Sequence, residues 1–197
     1  MTGGTLSSTR GMGRVAALCA VSAATFVLAA CSSGQPSSPA TNTTAPASSS
    51  TLSTTPPISA DKAKSSALAA YQAMWVDFVG AATTSDWQSP RLGQHATGTA
   101  LTTLTRGLFT DHNNGVVTRG EPTHNPQVSS AEPSDSPTKV VVTDCSDSTK
   151  ALKYRADNGQ LSDNTPGGRR QINAIVELQA DASWKVSDFG VHEVGSC

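Results

Sequence analysis

The chain has 197 residues, and its 14 Lys and Arg nearly balance its 15 Asp and Glu, for a net charge of −1. Without a basic excess no surface can neutralise a phosphate backbone, so the composition argues against nucleic-acid binding. The spacings typical of zinc, phosphate-loop and serine-nucleophile sites are missing from the sequence. We therefore predict no metal, no cofactor and no catalytic residue.

Residues 1–30 predict an export signal. Arg10 and Arg14 precede an uncharged, apolar run at residues 15–30. A positive segment before a short apolar one is typical of a signal peptide, and the run is shorter than the roughly 20 residues of a permanent membrane span. It ends in Leu28-Ala29-Ala30-Cys31, which resembles the lipobox of bacterial lipoproteins.

The lipobox resemblance implies cleavage before Cys31 and lipidation of the Cys31 thiol. Two or more acyl chains hold a protein stably on a membrane, so the implied location is the outer face of the cell membrane. The alternative is an ordinary signal peptide with an accidental cysteine after its cleavage site.

Residues 31–59 predict a disordered tether. Residues 32–57 contain eight Ser, six Thr and five Pro and no charged residue. Such a segment has too little apolar surface to offset its ordering entropy. Fully extended, it would span about 80 Å. We expect it to hold a single domain, residues 60–197, away from the membrane.

Two cysteines remain for a disulfide. Cys19 leaves with the signal and Cys31 takes the lipid, so only Cys145 and Cys197 are left in the exported part. Disulfides persist outside the cytosol, and two cysteines can pair in one way. The predicted bond closes a loop of 52 positions (197 − 145).

The first part of the domain has helical periodicity. Apolar residues recur at three- and four-residue steps after Ser59, a plausible N-cap, which predicts a long helix. Its apolar face comprises Leu68, Tyr71, Trp75, Phe78 and Ala82. A second, Thr-rich helix with Leu101, Leu104 and Leu108 on one face is expected to end at residues 113–115.

The chain after Gly115 has the pattern of strands, expected at residues 116–120, 126–130, 139–145, 151–156, 170–179 and 184–194. Ile172, Val176 and Leu178 lie on one face of an alternating segment, and with Trp184 they should supply much of the core. Asp188 and Gly190 predict a bulge in the last strand. Helices followed by antiparallel strands predict an α+β domain with its helices on one face of the sheet.

The order of several short motifs resembles the nuclear-transport-factor-two-like (SnoaL-like) domain of small actinobacterial lipoproteins and secreted proteins. The motifs are Ala70-Tyr71 with Trp75, Leu101 with Leu104, Val141-Val142-Thr143-Asp144-Cys145, Trp184-Lys185-Val186 and Gly195-Ser196-Cys197. The resemblance implies a curved sheet wrapped around the first helix as a cone, with any ligand between the two. This fold hosts enzymes, binding proteins and assembly proteins, so it does not determine a function.

If the cone is hollow, the resemblance places a ligand pocket at Tyr71, Trp75, Phe78 and Tyr154. The alternative is that the aromatic residues only fill the core. Candidate acid–base groups would be Tyr71, Asp77 and Tyr154, but Asp77 lies about 200° round the helix from Trp75 and is expected to face solvent.

Other motifs have simple structural explanations. The sequences Ser59-Ala60-Asp61-Lys62 and Ser162-Asp163-Asn164 match parts of a serine-hydrolase signature, but they are better explained as a helix cap and a turn. The histidines, His95, His112, His124 and His192, are expected at the surface. Asp144 and Asp147, with Asp157 or Asp163, could bind calcium, but are expected mainly to be solvated in a turn.

The sequence therefore favours a non-catalytic envelope lipoprotein. Its domain would bind or assemble with an envelope protein or a wall polymer. The first alternative is a carrier of a small apolar ligand in the cone, and the second is a small-molecule enzyme of the same fold.

Overall fold

The computed structural model describes residues 59–197, so the signal, the lipobox and nearly all of the predicted tether lie outside the described residues. Three helices come first: α1 (Ala60–Ala82), α2 (Leu92–His95) and α3 (Gly98–Asn113). Six strands follow: β1 (Val116–Arg119), β2 (Gln127–Glu132), β3 (Lys139–Asp147), β4 (Leu152–Arg155), β5 (Arg169–Leu178) and β6 (Trp184–Val191). Among the described residues, no helix has the length and apolarity needed to cross a membrane.

The strands form a four-stranded antiparallel sheet in the order β2-β3-β5-β6 and a separate β1-β4 pair. This confirms the α+β class with helices packed on an antiparallel sheet. Strands β1 and β4 pair with each other outside the four-stranded sheet. The predicted bulge in β6 is confirmed: Ile175 and Val176 of β5 pair with Asp188 and Val186, so β6 has one extra residue between these pairs.

The last strand is shorter than predicted and ends at Val191 rather than at residue 194. After Val191 the chain follows the start of β5, where the Gly195 amide donates to the Arg169 carbonyl and the Ser196 hydroxyl accepts from the Gln171 amide. These hydrogen bonds hold the C-terminal segment, which ends at Cys197, beside the start of β5.

Helix α1 packs against the main sheet mainly through small residues. Its fully buried positions are Ala63, Ala67, Tyr71 and Met74, whereas Leu68, Trp75 and Phe78 are only partly buried at the edges of the same face. The centre of the buried face therefore lies at Met74, one residue before Trp75, which the predicted face contained. Alanines at the centre let the helix backbone approach the sheet closely, which leaves the larger aromatic side chains at the margin.

The sheet presents alternate residues to α1 because successive side chains of a strand point to opposite faces. Predicted core residues Ile172, Val176 and Trp184 are buried, and Leu178 is partly buried against them. Val140 and Val142 of β3 are fully buried beside them. Each such side chain contributes roughly 1.5–3 kcal/mol through burial of apolar surface.

Candidate functional site

A carboxylate is buried between α1 and the sheet. Asp144 of β3 is 1% exposed. Its Oδ2 accepts hydrogen bonds from the Tyr71 hydroxyl at 2.8 Å and from Nδ1 of His124 at 2.6 Å. Its Oδ1 accepts from the Asn125 amide at 2.6 Å. Asp144 therefore joins the first helix, the third strand and the segment before β2 in one hydrogen-bonded cluster.

These bonds determine the charges of the cluster. Burial alone would raise the pKa of Asp144, but the hydrogen bonds from His124, Tyr71 and the Asn125 amide together lower it below its ordinary value. Burial, followed by the negative charge of Asp144, raises the pKa of the Tyr71 hydroxyl far above its usual range. At neutral pH Asp144 is therefore ionised and can only accept, while Tyr71 keeps its proton and donates.

The ionised carboxylate also selects the histidine tautomer. A carboxylate cannot donate, so Nδ1 of His124 must carry a proton to form the 2.6 Å bond. In the neutral ring, Nε2 is then an unprotonated acceptor. This is the arrangement by which a carboxylate orients an imidazole for binding or for proton transfer.

The ring of His124 stacks on Trp75, with ring centroids 5.2 Å apart and an interplanar angle of 20°. Edge contacts from Tyr71, Phe78 and Phe189 surround the indole. Nε1 of Trp75 and Nε2 of His124 are buried and have no hydrogen-bond partner in the structure. A smaller contribution from the Trp75 side chain partly offsets the rise in the pKa of the Tyr71 hydroxyl.

Two cavities meet at Trp75. The first has a volume of about 220 Å³ and a mainly apolar lining. The second has a volume of about 470 Å³ and is more polar. Trp75, Val79 and Pro122 line both. The first extends to Phe78, Ala82, Ile172 and Val191, and the second extends to Gln72, Arg91, Glu121 and His124.

A second buried carboxylate lies on the other side of α1, and it corrects the expectation that Asp77 faces solvent. Asp77 is 4% exposed, and its oxygens contact His95 Nδ1 at 2.7 Å and Arg91 Nη2 at 3.3 Å. The prediction assumed that Trp75 faces the centre of the core. Because the centre is nearer Met74, Asp77 points instead towards α2, which covers that side of α1.

The predicted pocket residues have different environments. Trp75 and Phe78 line the first cavity, whereas Tyr71 lines neither cavity and bonds to Asp144. Tyr154 lies on the small sheet with the Arg119 guanidinium 5.0 Å from its ring centroid, and it lines neither of these cavities.

Asp144 and His124 were both expected at the surface, and both expectations are wrong. Asp144 is buried because residues 140, 142, 144 and 146 of β3 all face inward. That alternation is visible in the sequence and could have identified it. His124 lies outside any helix or strand, and its side chain is only 14% exposed. No periodic pattern in the sequence predicts that His124 is buried, because its contact with Asp144 forms only in the tertiary fold. His112 and His192 are exposed as expected.

Cys145 and Cys197 form a disulfide in the structure, with Cα atoms 5.9 Å apart. Cys145 directly follows Asp144, and Ser146 on its other side lines the first cavity. The bond thus ties the C-terminal segment to the strand that carries the buried carboxylate. Within residues 59–197, no group of three or more His, Cys, Asp or Glu side chains is placed to hold a metal ion.

These features define an α+β domain with two cavities beside its first helix and a buried Tyr–Asp–His cluster whose histidine lines the second cavity. The chain matches no protein-family model and no curated protein sequence.

Several solved structures are similar to this chain at low identity and with TM-scores below 0.5. A ketosteroid isomerase-like protein from Erwinia carotovora atroseptica is 13% identical, with a TM-score of 0.44 over 66% of this chain and 94% of that one. ActVI-ORFA from Streptomyces coelicolor is 14% identical, with a TM-score of 0.36 over 65% and 92%. The intermembrane-space region of chloroplast protein ARC6 is 15% identical, with a TM-score of 0.39 over 64% and 96%. These likenesses concern the fold alone.

Proposed function

We propose that this chain is a lipid-anchored protein of the cell envelope whose domain, residues 60–197, binds a small, mainly apolar molecule between α1 and the main sheet. The observation that carries the binding proposal is the pair of cavities that share the Trp75 wall. Small-molecule sites are concave and mostly apolar, with a few polar groups that orient the ligand. The cavities of about 220 and 470 Å³, the second of which is lined by His124, fit that description.

The cavities favour the carrier alternative over the assembly module. Binding a partner protein or a wall polymer through an apolar surface requires a contiguous exposed patch. The large exposed apolar side chains of the domain come from α1, α3, the loop before β5 and the C-terminal segment: Val76, Phe109, Leu161, Val191 and Val194. Concave, mainly apolar space beside aromatic side chains instead suits a small ligand.

The anchor and tether support a role at the membrane. The lipobox-like sequence ending at Cys31 implies a lipid at the start of the mature chain, and the uncharged segment at residues 32–57 gives the domain a reach of tens of ångströms. A tethered domain has a raised local concentration near the membrane without a fixed orientation. That arrangement suits the capture of an apolar molecule at the envelope.

Filling the shared wall tests the binding proposal. N-phenyl-1-naphthylamine, an uncharged fluorophore, should bind the full chain with an increase in emission. Val79→Phe places a ring where both cavities meet, so it should weaken binding at least about tenfold. Val194→Phe is the matched control, because Val194 is exposed and lines neither cavity. Equal binding by the two variants, or no binding by the unaltered chain, would contradict the proposal.

The location is tested separately by Cys31→Ser. The unaltered chain made in its own host should partition into detergent, and its mass should show cleavage before Cys31 together with added lipid. Cys31→Ser should move the chain to the aqueous phase. An unmodified Cys31, or retention of residues 1–30 in the native product, would contradict the anchor and leave the binding proposal untouched.

A second candidate function is acid–base catalysis in the same cavity, and the orientation of His124 by Asp144 favours it. An imidazole whose Nδ1 donates to a carboxylate and which lines the second cavity can, in its neutral form, accept a proton at Nε2. A chromogenic probe is 5-nitrobenzisoxazole, which loses its ring C–H proton to a base and opens to a phenolate as its N–O bond breaks. Acceleration beyond that of free imidazole, lost in His124→Gln and kept in His192→Gln, would support catalysis. The absence of acceleration would leave binding as the function.

A further inference from the structure

Arg170 brings a positive charge to the mainly apolar first cavity. It lies near the start of β5 and, within residues 59–197, it is the only charged residue among those that line this cavity. Two guanidinium N–H groups bond to backbone carbonyls: Nε donates to Gly167 at 3.1 Å and Nη1 donates to His192 at 3.4 Å. A guanidinium has five N–H groups, so three of them remain for another acceptor.

Within residues 59–197, no carboxylate forms an ion pair with Arg170. The basic partners in the ion pairs of this part of the chain are Arg91, His95, His124 and Lys153. A charged group beside apolar surface is costly unless an opposite charge accompanies it. Because the carbonyls of Gly167 and His192 hold the guanidinium without neutralising it, an anion is the partner that this side chain lacks.

The register of the sheet places a hydroxyl beside Arg170. Ser146 of β3 pairs with Arg170 of β5, is 4% exposed and lines the same cavity. Directly opposite residues on neighbouring antiparallel strands have Cβ atoms about 5 Å apart, so the two side chains can reach one group. A carboxylate suits this pair, because a guanidinium binds it as a planar fork and a hydroxyl can donate one more hydrogen bond.

Asp144 is a charged neighbour on the same face of the sheet, but its hydrogen bonds are already made. It pairs with Ile172, so it lies diagonally across from Arg170. Its oxygens accept from the three donors described above, and it does not line the first cavity. At the diagonal separation of about 7–8 Å, its repulsion of a bound anion is weaker than the attraction of a guanidinium in direct contact.

The apolar part of the same cavity lies next to this polar end. Ile172 is two residues further along β5 on the same face, which is about 7 Å from Arg170. Trp75 and Phe78 of α1 line the cavity together with it. The volume of about 220 Å³ limits the ligand to a small molecule. A single cation matches a single negative charge, whereas a phosphate monoester has nearly two at neutral pH.

We infer that the ligand is a small apolar carboxylate, whose charged group binds to Arg170 and Ser146 while its apolar part occupies the first cavity beside Phe78 and Ile172. The inference rests on the proposed binding function and specifies its ligand class. Arg170 supplies the charge recognition, and the aromatic side chains of α1 supply the apolar contact.

A pair of matched probes tests the inference on the full chain purified in detergent. The compounds 2-naphthylacetate and 2-naphthylacetamide have the same ring system and differ in charge. We expect the carboxylate to have a dissociation constant at least about tenfold lower by calorimetry. Arg170→Gln should bring the two constants within about twofold of each other. Arg169→Gln is the matched control, because it removes the same charge from the adjacent exposed position and should preserve the difference. Partition of the probes into detergent is the same for every variant, so it cancels in this comparison.

The outcomes separate the two proposals. Equal binding of the two probes to the unaltered chain would overturn the carboxylate inference and leave the binding function intact. A preference for the carboxylate that survives in Arg170→Gln, or that is lost equally in Arg169→Gln, would also overturn it. So would binding of neither probe by a chain that binds N-phenyl-1-naphthylamine, whereas binding of none of the three compounds would contradict the binding function itself.

A second measurement decides if Arg170→Gln does not fold. The guanidinium N–H resonances of Arg170 in the unaltered chain should shift on addition of 2-naphthylacetate and stay in place with 2-naphthylacetamide. Equal shifts with both probes, or no shift with either, would overturn the inference.

Discussion

Replacing Tyr71 with Phe removes one oxygen from the centre of the domain and leaves the ring in place. The lost hydrogen bond to Asp144 is 2.8 Å long, both residues are buried, and the acceptor is charged. Hydrogen bonds to charged groups contribute about 1.5–3 kcal/mol. We therefore expect Tyr71→Phe to lower the free energy of unfolding at neutral pH by about 2 kcal/mol, as measured by urea denaturation.

A double-mutant cycle isolates the charged part of this interaction. With Asp144→Asn in place the acceptor is neutral, so Tyr71→Phe should then cost only about 1 kcal/mol. Tyr154→Phe is the matched control. Tyr154 is the only other tyrosine, and it lies outside the cluster, so this change should cost less than about 0.5 kcal/mol. A loss for Tyr71→Phe no larger than that of Tyr154→Phe, or the same loss with and without the Asp144 charge, would refute the reasoning.

Three further predictions concern stability. Cys145→Ser with Cys197→Ser should lower the free energy of unfolding by up to about 4 kcal/mol, because the bond closes a 52-residue separation; equal urea midpoints for the oxidised and mutant chains would contradict this. The folded-state pKa of Asp144 is lowered, so its ionisation stabilises the domain above its unfolded-state pKa of roughly 3.9. That stability is lost as pH falls through the lower folded-state value, and Asp144→Asn should therefore flatten the decline of unfolding free energy with acid. Asp77→Ala removes the buried carboxylate that bonds to His95 and pairs with the half-exposed Arg91, and should cost about 1–2 kcal/mol by thermal denaturation; a cost below about 0.5 kcal/mol would show that these contacts contribute little to stability.

Periodicity in the sequence predicts most of the fold. The α1 and α3 patterns and the alternation in β5 depend on the local geometry of helices and strands, which short segments reveal. The pairing of β4 with β1 could not be predicted in this way, because it depends on which edges of β3 are already occupied. Packing also decides the rotation of α1 about its axis. For this reason Asp77 was misplaced although the helix itself was expected.

The candidate site was less predictable than the fold, for two physical reasons. Asp144 lies at an inward position of β3, but its charge and its place beside Cys145 and Asp147 suggested a solvated turn. His124 lies in an irregular segment 20 positions before its partner, and no local pattern brings the two together. Both residues depend on contacts made across the domain. The pairing of Cys145 with Cys197, in contrast, could be predicted by elimination among the four cysteines.

The arrangement of α1 against the sheet has a consequence for the order of events during synthesis. The helix is made first, yet its buried face is covered by strands that end as late as Val191. Until those strands are available, Tyr71 and Met74 lack the strand side chains that complete their core cluster. Contacts between such distant parts of a chain make folding slow and leave apolar surface open to aggregation. A nascent chain that stalls before β5 should therefore depend on chaperones, and α1, the first helix of residues 59–197, is among the last elements to become fully buried.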